Sequence, residues 1–180
     1  MTLSPTTQKY ILHWGEMGTR WGVNRSVAQI HALLFLSNVP LHAEQISETL
    51  TIARSNVSTS LKELQSWGLI RAMHMPGDRR DHFQAYQDVW EVFRIILAER
   101  KKRELDPTLT VLRECALEAE NDQALEAATR ARMDEVLAFL ELLMRGYDDF
   151  KHLSPATVQR FVQMGGKVAR FLSPDEKEVP

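Results

Sequence analysis

Two clusters of polar residues carry the chemistry open to this sequence. The first is Arg54, Ser55, Asn56, Ser58, Thr59 and Lys62, set along one amphipathic stretch. At helical spacing Val57, Leu61 and Leu64 share a face, while Ser55, Thr59, Lys62 and Ser66 lie opposite, with Asn56 and Ser58 on the flanks. Hydroxyls and amides both donate and accept hydrogen bonds, and the ammonium adds a cation. That mixture suits the base edges and phosphates of a DNA major groove. A merely solvated helix would more often show Glu–Lys pairs four residues apart. The second cluster is Arg79-Arg80, flanked by Asp78 and Asp81 and preceded by Pro76-Gly77. Guanidiniums at a hairpin end reach phosphates or a narrow minor groove, and Asp78 or Asp81 can hold one of them in a bidentate pair, leaving the other free. Charged turns also occur only to keep a surface solvated. The two clusters together, at this spacing, carry more weight than either alone.

The elements needed to position them are legible from periodicity. Ser4-Pro5 predicts a helix start, with Tyr10, Trp14 and Met17 on one stripe and Gly18 as the stop. Asn24 predicts the cap of a second helix, buried through Val27, Ile30, Leu33 and Leu34 and ending near Ser37. After Pro40 a short helix is expected from His42 to Leu50, with histidine where Ser, Thr or Asp would cap better. A tight turn at Leu50-Thr51-Ile52 then leads to the helix Ala53 to Trp67, which Gly68 ends. The pattern next changes to two strand-like runs, Leu69 to Met75 and Asp81 to Tyr86, around a tip at residues 76–80. Three helices and a two-stranded β-wing make a winged helix-turn-helix, and the rest of the chain is helical, so the expected fold is mainly α.

After Gln87, Trp90, Phe93, Ile96 and Leu97 mark a helix ending in Arg100-Lys101-Lys102-Arg103, a run read as solvated or paired with acids. A helix from Pro107 to about Glu120 follows. The next, from about Gln123 to Tyr147, is apolar on more than one side: Met133, Val136, Leu137, Phe139, Leu140, Leu143 and Met144. Such a helix needs neighbours all round, and a second subunit is the expected source. A last helix carries Val158, Phe161, Val162, Val168 and Phe171, with a kink or break expected at Gly165-Gly166. The expected division is an N-terminal helix at 1–20 contributing to dimerisation, a DNA-binding domain at 21–87 and a helical dimerisation region at 88–180.

Composition narrows the classes. With 44% hydrophobic and 26% charged residues the chain is globular rather than disordered. The net charge of −2 advertises no anionic partner for the whole molecule. Residues 1–86 nevertheless hold eight basic against six acidic side chains, which leaves the acidic excess to the remainder. Cys115 is the only cysteine, so no intrachain disulfide forms and a reducing cytoplasm is expected. No signal peptide and no membrane span are read in the sequence, and a soluble protein with no membrane partner is expected.

Ala53-Arg54-Ser55-Asn56-Val57-Ser58-Thr59-Ser60-Leu61-Lys62-Glu63-Leu64, Trp67-Gly68-Leu69-Ile70-Arg71 and Gly77-Asp78-Arg79-Arg80-Asp81-His82-Phe83 resemble the GbsR-type branch of the MarR-like regulators. Asp88-Val89-Trp90 and Arg100-Lys101-Lys102-Arg103-Glu104 before Asp106-Pro107 match the same pattern. The resemblance covers about Trp21 to Pro107, and His42 departs from it. It implies a homodimeric transcriptional regulator, with DNA-binding lobes flanking a helical dimerisation body. Double-stranded DNA is the implied partner and a repressor the expected sign of regulation.

Members of that branch are associated with choline or glycine betaine, whose quaternary ammonium requires an aromatic cage. Trp14, Trp21, Trp90, Phe93 and Tyr147 supply aromatic faces, although aromatics at helical spacing are more often core. A choline-like or other small effector therefore stands as an expectation on Trp14, Trp21, Trp90 and Phe93. The six histidines are scattered without metal-ligand spacing, so no metal site is expected. Cys115 reads as a small apolar side chain or a redox sensor, the former more often. No phosphate loop, nucleophile elbow or metal triad is present in the sequence, so neither an enzyme nor a cofactor is expected. The rival reading is a winged helix used for protein contact, which would expose apolar residues where this chain has Ser55, Thr59 and Lys62.

Overall fold

The computed structural model describes residues 2–172, with side chains through residue 165. Helix α1 spans Pro5–Arg20. Ser4 caps it, its Oγ accepting from the Thr7 N–H at 3.1 Å, and Pro5 sits in the first turn, where no N–H is required. Gly18 does not stop this helix. It lies inside α1, where a Cβ would come within 2.5 Å of the Ala28 Cβ; a Cβ on Gly15 would meet Gln29 Cγ at 2.6 Å. The two glycines thus let α1 lie close on α2, Arg25–Leu36. The stop comes at Gly22, with φ of 74°. There the Gly22 N–H donates to Thr19 O at 3.1 Å and the Val23 N–H to Gly18 O at 2.8 Å, a Schellman closure.

Helix α2 is the axis of the core. Val27, Ile30, Leu33 and Leu34 are almost wholly buried, as are Ile46 of α3 (Ala43–Leu50) and Val57, Leu61 and Leu64 of α4 (Arg54–Ser66). Each such side chain contributes roughly 1.5–3 kcal/mol of transfer free energy. α4 ends as α1 does, with Gly68 at φ 73° and the Leu69 N–H donating to Leu64 O at 3.0 Å.

The wing contains more sheet than expected. β2 (Ile70–Met75) and β3 (Asp78–Ala85) form the hairpin, and a third strand, β1 (Leu41–His42), pairs with β3 to give the order β1-β3-β2. All pairings are antiparallel, with Leu41 opposite Phe83 and His42 opposite His82. The turn is tighter than the five-residue tip expected. Pro76 and Gly77 alone separate the strands, and Gly77, at φ 82°, takes the conformation that a Pro-Gly turn requires. The register jumps from His74–Asp81 to Met75–Asp78, so Arg79 and Arg80 occupy a bulge in β3.

Helix α5 (Val89–Arg100) places Val92 in this same core, with Ile95 and Ile96 packed against it. The described residues up to Arg100 form one compact unit and those from Lys101 onward a second. In the second, Lys101–Leu105 makes a π-helical turn before α6 (Asp106–Ala119), and Lys101 Nζ pairs with Asp106 Oδ1 at 2.6 Å. α7 (Ala127–Phe150) is tied to α6 by the Arg113 guanidinium on Glu141 Oε1, at 2.8 and 2.9 Å. No side chain of α7 is fully buried within its own chain; Val136, Phe139, Leu142 and Leu143 stand about half exposed or more. α8 (Pro155–Leu172) runs through Gly165 and Gly166 without the expected break. The side chains of Val168 and Phe171 lie outside the described residues. Cys115 is half-buried on α6. Among the described residues no helix is long and apolar enough to cross a membrane.

Candidate nucleic-acid interface

α4 presents the polar face that its periodicity predicted. Val57, Ser60, Leu61 and Leu64 point into the core, and Arg54, Ser55, Asn56, Ser58, Thr59 and Lys62 are exposed. Among the described residues, the side chains of Ser55, Asn56, Ser58, Thr59 and Lys62 have no hydrogen-bond or ion-pair partner, so their polar atoms remain available to a ligand. Ala53 precedes the helix without a side-chain cap, which leaves the first backbone N–H groups without a side-chain acceptor.

The two wing arginines differ. Asp78 accepts from Arg80 Nε at 2.9 and 3.0 Å and from Arg80 Nη2 at 2.5 Å, and its Oδ1 also accepts from the Arg80 backbone N–H at 3.0 Å. Hydrogen bonding by Arg80 holds the Asp78 carboxyl well below the usual carboxylate range. Arg79 is exposed and, among the described residues, its guanidinium is unpaired. The Asp81 carboxylate lies 3.5 Å from His74 Nδ1 and pairs with neither arginine side chain.

Two residues connect wing and helices: Glu44, which the sequence did not mark, and His42, which it marked only as a poor cap. Glu44, in the first turn of α3, reaches Arg54 Nη1 at 3.1 Å through Oε1 and Arg80 Nη1 at 3.5 Å through Oε2. One carboxylate therefore bridges the start of α4 and the wing. His42, an unexpected capping residue, completes a capping box: its Nδ1 accepts from the Gln45 N–H at 3.3 Å, and Gln45 Oε1 accepts from the His42 N–H at 3.1 Å. An imidazole does the work of a hydroxyl here because its unprotonated nitrogen is an acceptor. Neither role had a sequence signal beyond the presence of an acid and a histidine near the helix start.

The aromatic residues separate. Trp14 lines a cavity of about 100 Å³ with Tyr10, His31, Ala32, Phe35, Val89 and Val92. Tyr10 and Trp14 stack with ring centroids 5.7 Å apart. Trp21 is exposed just past α1, Phe93 is half exposed on α5, and neither they nor Trp90 line this cavity. His31 is buried in its wall, its Nε2 has no hydrogen-bond partner among the described residues, and burial lowers its pKa to about 4. It is therefore neutral at pH 7. Among the described residues no three His, Cys, Asp or Glu side chains gather to hold a metal.

Comparison with known proteins places this geometry in context. Residues 21–81 match the MarR family model. No curated protein matches the chain. The crystal structure of a transcriptional regulator is 17% identical, covers 88% of this chain and 99% of its own, and superposes with a TM-score of 0.61, which marks a shared fold. A transcriptional regulator from Thermotoga maritima is 16% identical over 79% of this chain and 92% of its own, with a TM-score of 0.38. A MarR family transcription regulator is 20% identical over 82% of this chain and 89% of its own, with a TM-score of 0.36.

Proposed function

We propose that the chain is a sequence-specific regulator of transcription that binds double-stranded DNA as a homodimer on a pseudo-palindromic operator. The observation that carries this reading is the pairing of five polar side chains on α4 with Arg79 of the wing, all without a partner among the described residues. α4 is the second helix of the helix-turn-helix, the one that enters the major groove in such motifs, and a wing contacts the flanking backbone or minor groove. The match of residues 21–81 to the MarR family supports the same reading. The GbsR-type branch is the finer assignment, supported by the sequence runs at residues 53–64, 67–71 and 77–83. A protein-contact module would expose apolar residues on α4, where this chain exposes hydroxyls, an amide and an ammonium.

Repression would follow from an operator-bound dimer that blocks polymerase, and the cavity that Trp14 lines is our candidate for a small-effector site. A gel shift with the DNA upstream of the chain's own gene, against excess unrelated duplex, tests the reading. A discrete complex that survives the competitor is the expected result. Binding that the competitor removes entirely argues against sequence-specific recognition.

A further inference from the structure

The one pair of facing histidines in the described residues stands at the join between the helix-turn-helix and the wing. His42 and His82 are directly opposite on β1 and β3, both buried, with ring centroids 5.4 Å apart and planes at 87°. The His82 Nδ1 lies 3.0 Å from the Arg80 carbonyl oxygen, and its Nε2 lies 3.7 Å from Asp78 Oδ2. Asp78 grips Arg80, Arg80 reaches Glu44, and Glu44 reaches Arg54 at the start of α4. Glu44 itself rides on the turn of α3 that His42 caps. We propose that the His42 cap of α3, packed against His82 of the wing, is a proton-controlled latch: neutral His42 holds the first turn of α3, and with it Glu44, in place between the wing and α4, and proton uptake releases both. This rests on the reading of the chain as a DNA-binding regulator and adds how that surface is regulated.

The chemistry is that of a single proton. With Nδ1 accepting from Gln45, the neutral ring carries its hydrogen on Nε2. A proton taken from solvent goes to Nδ1, which then points an N–H at the Gln45 N–H and can accept nothing. Burial opposes this protonation most, followed by the charge of Arg80 and by His82, while Asp78 and Glu44 favour it. Those are the groups facing His42 from α3 and β3; Arg54 of α4 adds its charge through Glu44. On β2 the residue opposite His82 is Met73, beside the His74–Asp81 pair. The net direction is a pKa below that of free histidine, so the latch is closed at neutral pH and opens on acidification.

The sign separates this device from ordinary electrostatics. Protonating exposed histidines adds positive charge and tightens DNA binding as pH falls. Opening the latch loosens it. Fluorescence anisotropy with the upstream duplex, at constant ionic strength from pH 7.5 to 5.0, should show wild-type affinity falling at least fivefold. His42→Asn keeps a capping acceptor that does not titrate; it should bind as wild type at pH 7.5 and lose most of the fall. Both proteins carry His31, so its titration cancels in the comparison, and circular dichroism confirms that each is folded throughout. NMR without DNA supplies the second readout: the Gln45 amide and Arg80 Nε signals should shift with the midpoint of the His42 ring. A wild-type affinity that is flat or rises on acidification, an unchanged fall in His42→Asn, or an Arg80 signal that ignores His42 overturns the latch. Failure to bind any duplex selectively at pH 7.5 overturns the regulator reading instead, and the NMR titration then decides the latch by itself.

Discussion

Asp78 holds Arg80 with both carboxylate oxygens, at 2.5 to 3.0 Å, while the adjacent Arg79 extends from the same bulge without a partner among the described residues. Neighbouring arginines thereby differ, one held by a carboxylate and one exposed.

Substitution should expose that difference. Arg79→Ala removes one mobile cation, so binding weakens evenly across sequences and the slope of log K against log salt falls by about 1. Arg80→Ala should cost more, because it leaves the Asp78 carboxylate without its guanidinium on the proposed DNA-facing surface and takes from Glu44 one of its two arginine partners. Arg80→Lys should restore little of the loss, since an ammonium cannot make the forked contact to Asp78. Equal losses from Arg79→Ala and Arg80→Ala in a salt titration would contradict this division.

On α4 the effects should instead depend on sequence. Asn56→Ala and Thr59→Ala are each expected to cost about 1–3 kcal/mol on the preferred duplex and to relax preference at particular base pairs. Selection from a randomised half-site, followed by sequencing, shows whether those positions lose their bias. Lys62→Ala belongs with the wing if it lowers the salt slope, and with the base readers if it changes the preferred site.

The helices and the candidate surface were legible because both repeat. Val57, Leu61 and Leu64 recur at helical spacing, and that periodicity also fixes where Ser55 and Thr59 must point. Single events were harder to read. Gly18 looks like a helix stop, yet it is the close approach of α1 to Ala28, because a packing glycine and a capping glycine are the same letter. β1 is two residues long, too short for alternation to show. His42 was read as a poor cap because that reading weighed hydroxyl and carboxylate oxygens and not a ring nitrogen. Glu44 meets Arg80 across 36 residues of sequence, a distance over which no local pattern can speak.

Assembly should depend on α7. Val136, Phe139 and Leu143 recur at helical spacing and are 50%, 58% and 47% exposed, an apolar stripe that an isologous partner helix would cover. Light scattering should give twice the 20.7 kDa chain mass. Phe139→Arg should raise the dimer dissociation constant at least tenfold, and DNA affinity should fall with it because half-sites are no longer engaged together. A variant that remains fully dimeric at micromolar concentration would place the interface elsewhere.

His31 should govern the acid limit of stability. Buried without a hydrogen-bond partner for Nε2, it has a pKa near 4 in the folded chain, against about 6.5 when unfolded. Between these values the unfolded chain binds the extra proton, so stability rises with pH; it is fully present above 6.5 and is lost as pH falls toward 4. The whole loss is on the order of 3 kcal/mol, of which about 2 kcal/mol should have gone by pH 5. His31→Leu has a similar volume, no proton to bind and no orphaned nitrogen. Urea unfolding at pH 7.5 and 5.0 should therefore show the variant gaining about 2 kcal/mol on the wild type over that interval. His42 titrates with the same sign but is common to both proteins, so the difference belongs to position 31. A constant gap between the two proteins at both pH values would mean that His31 keeps its ordinary pKa, and that the cavity wall is more hydrated than its burial indicates.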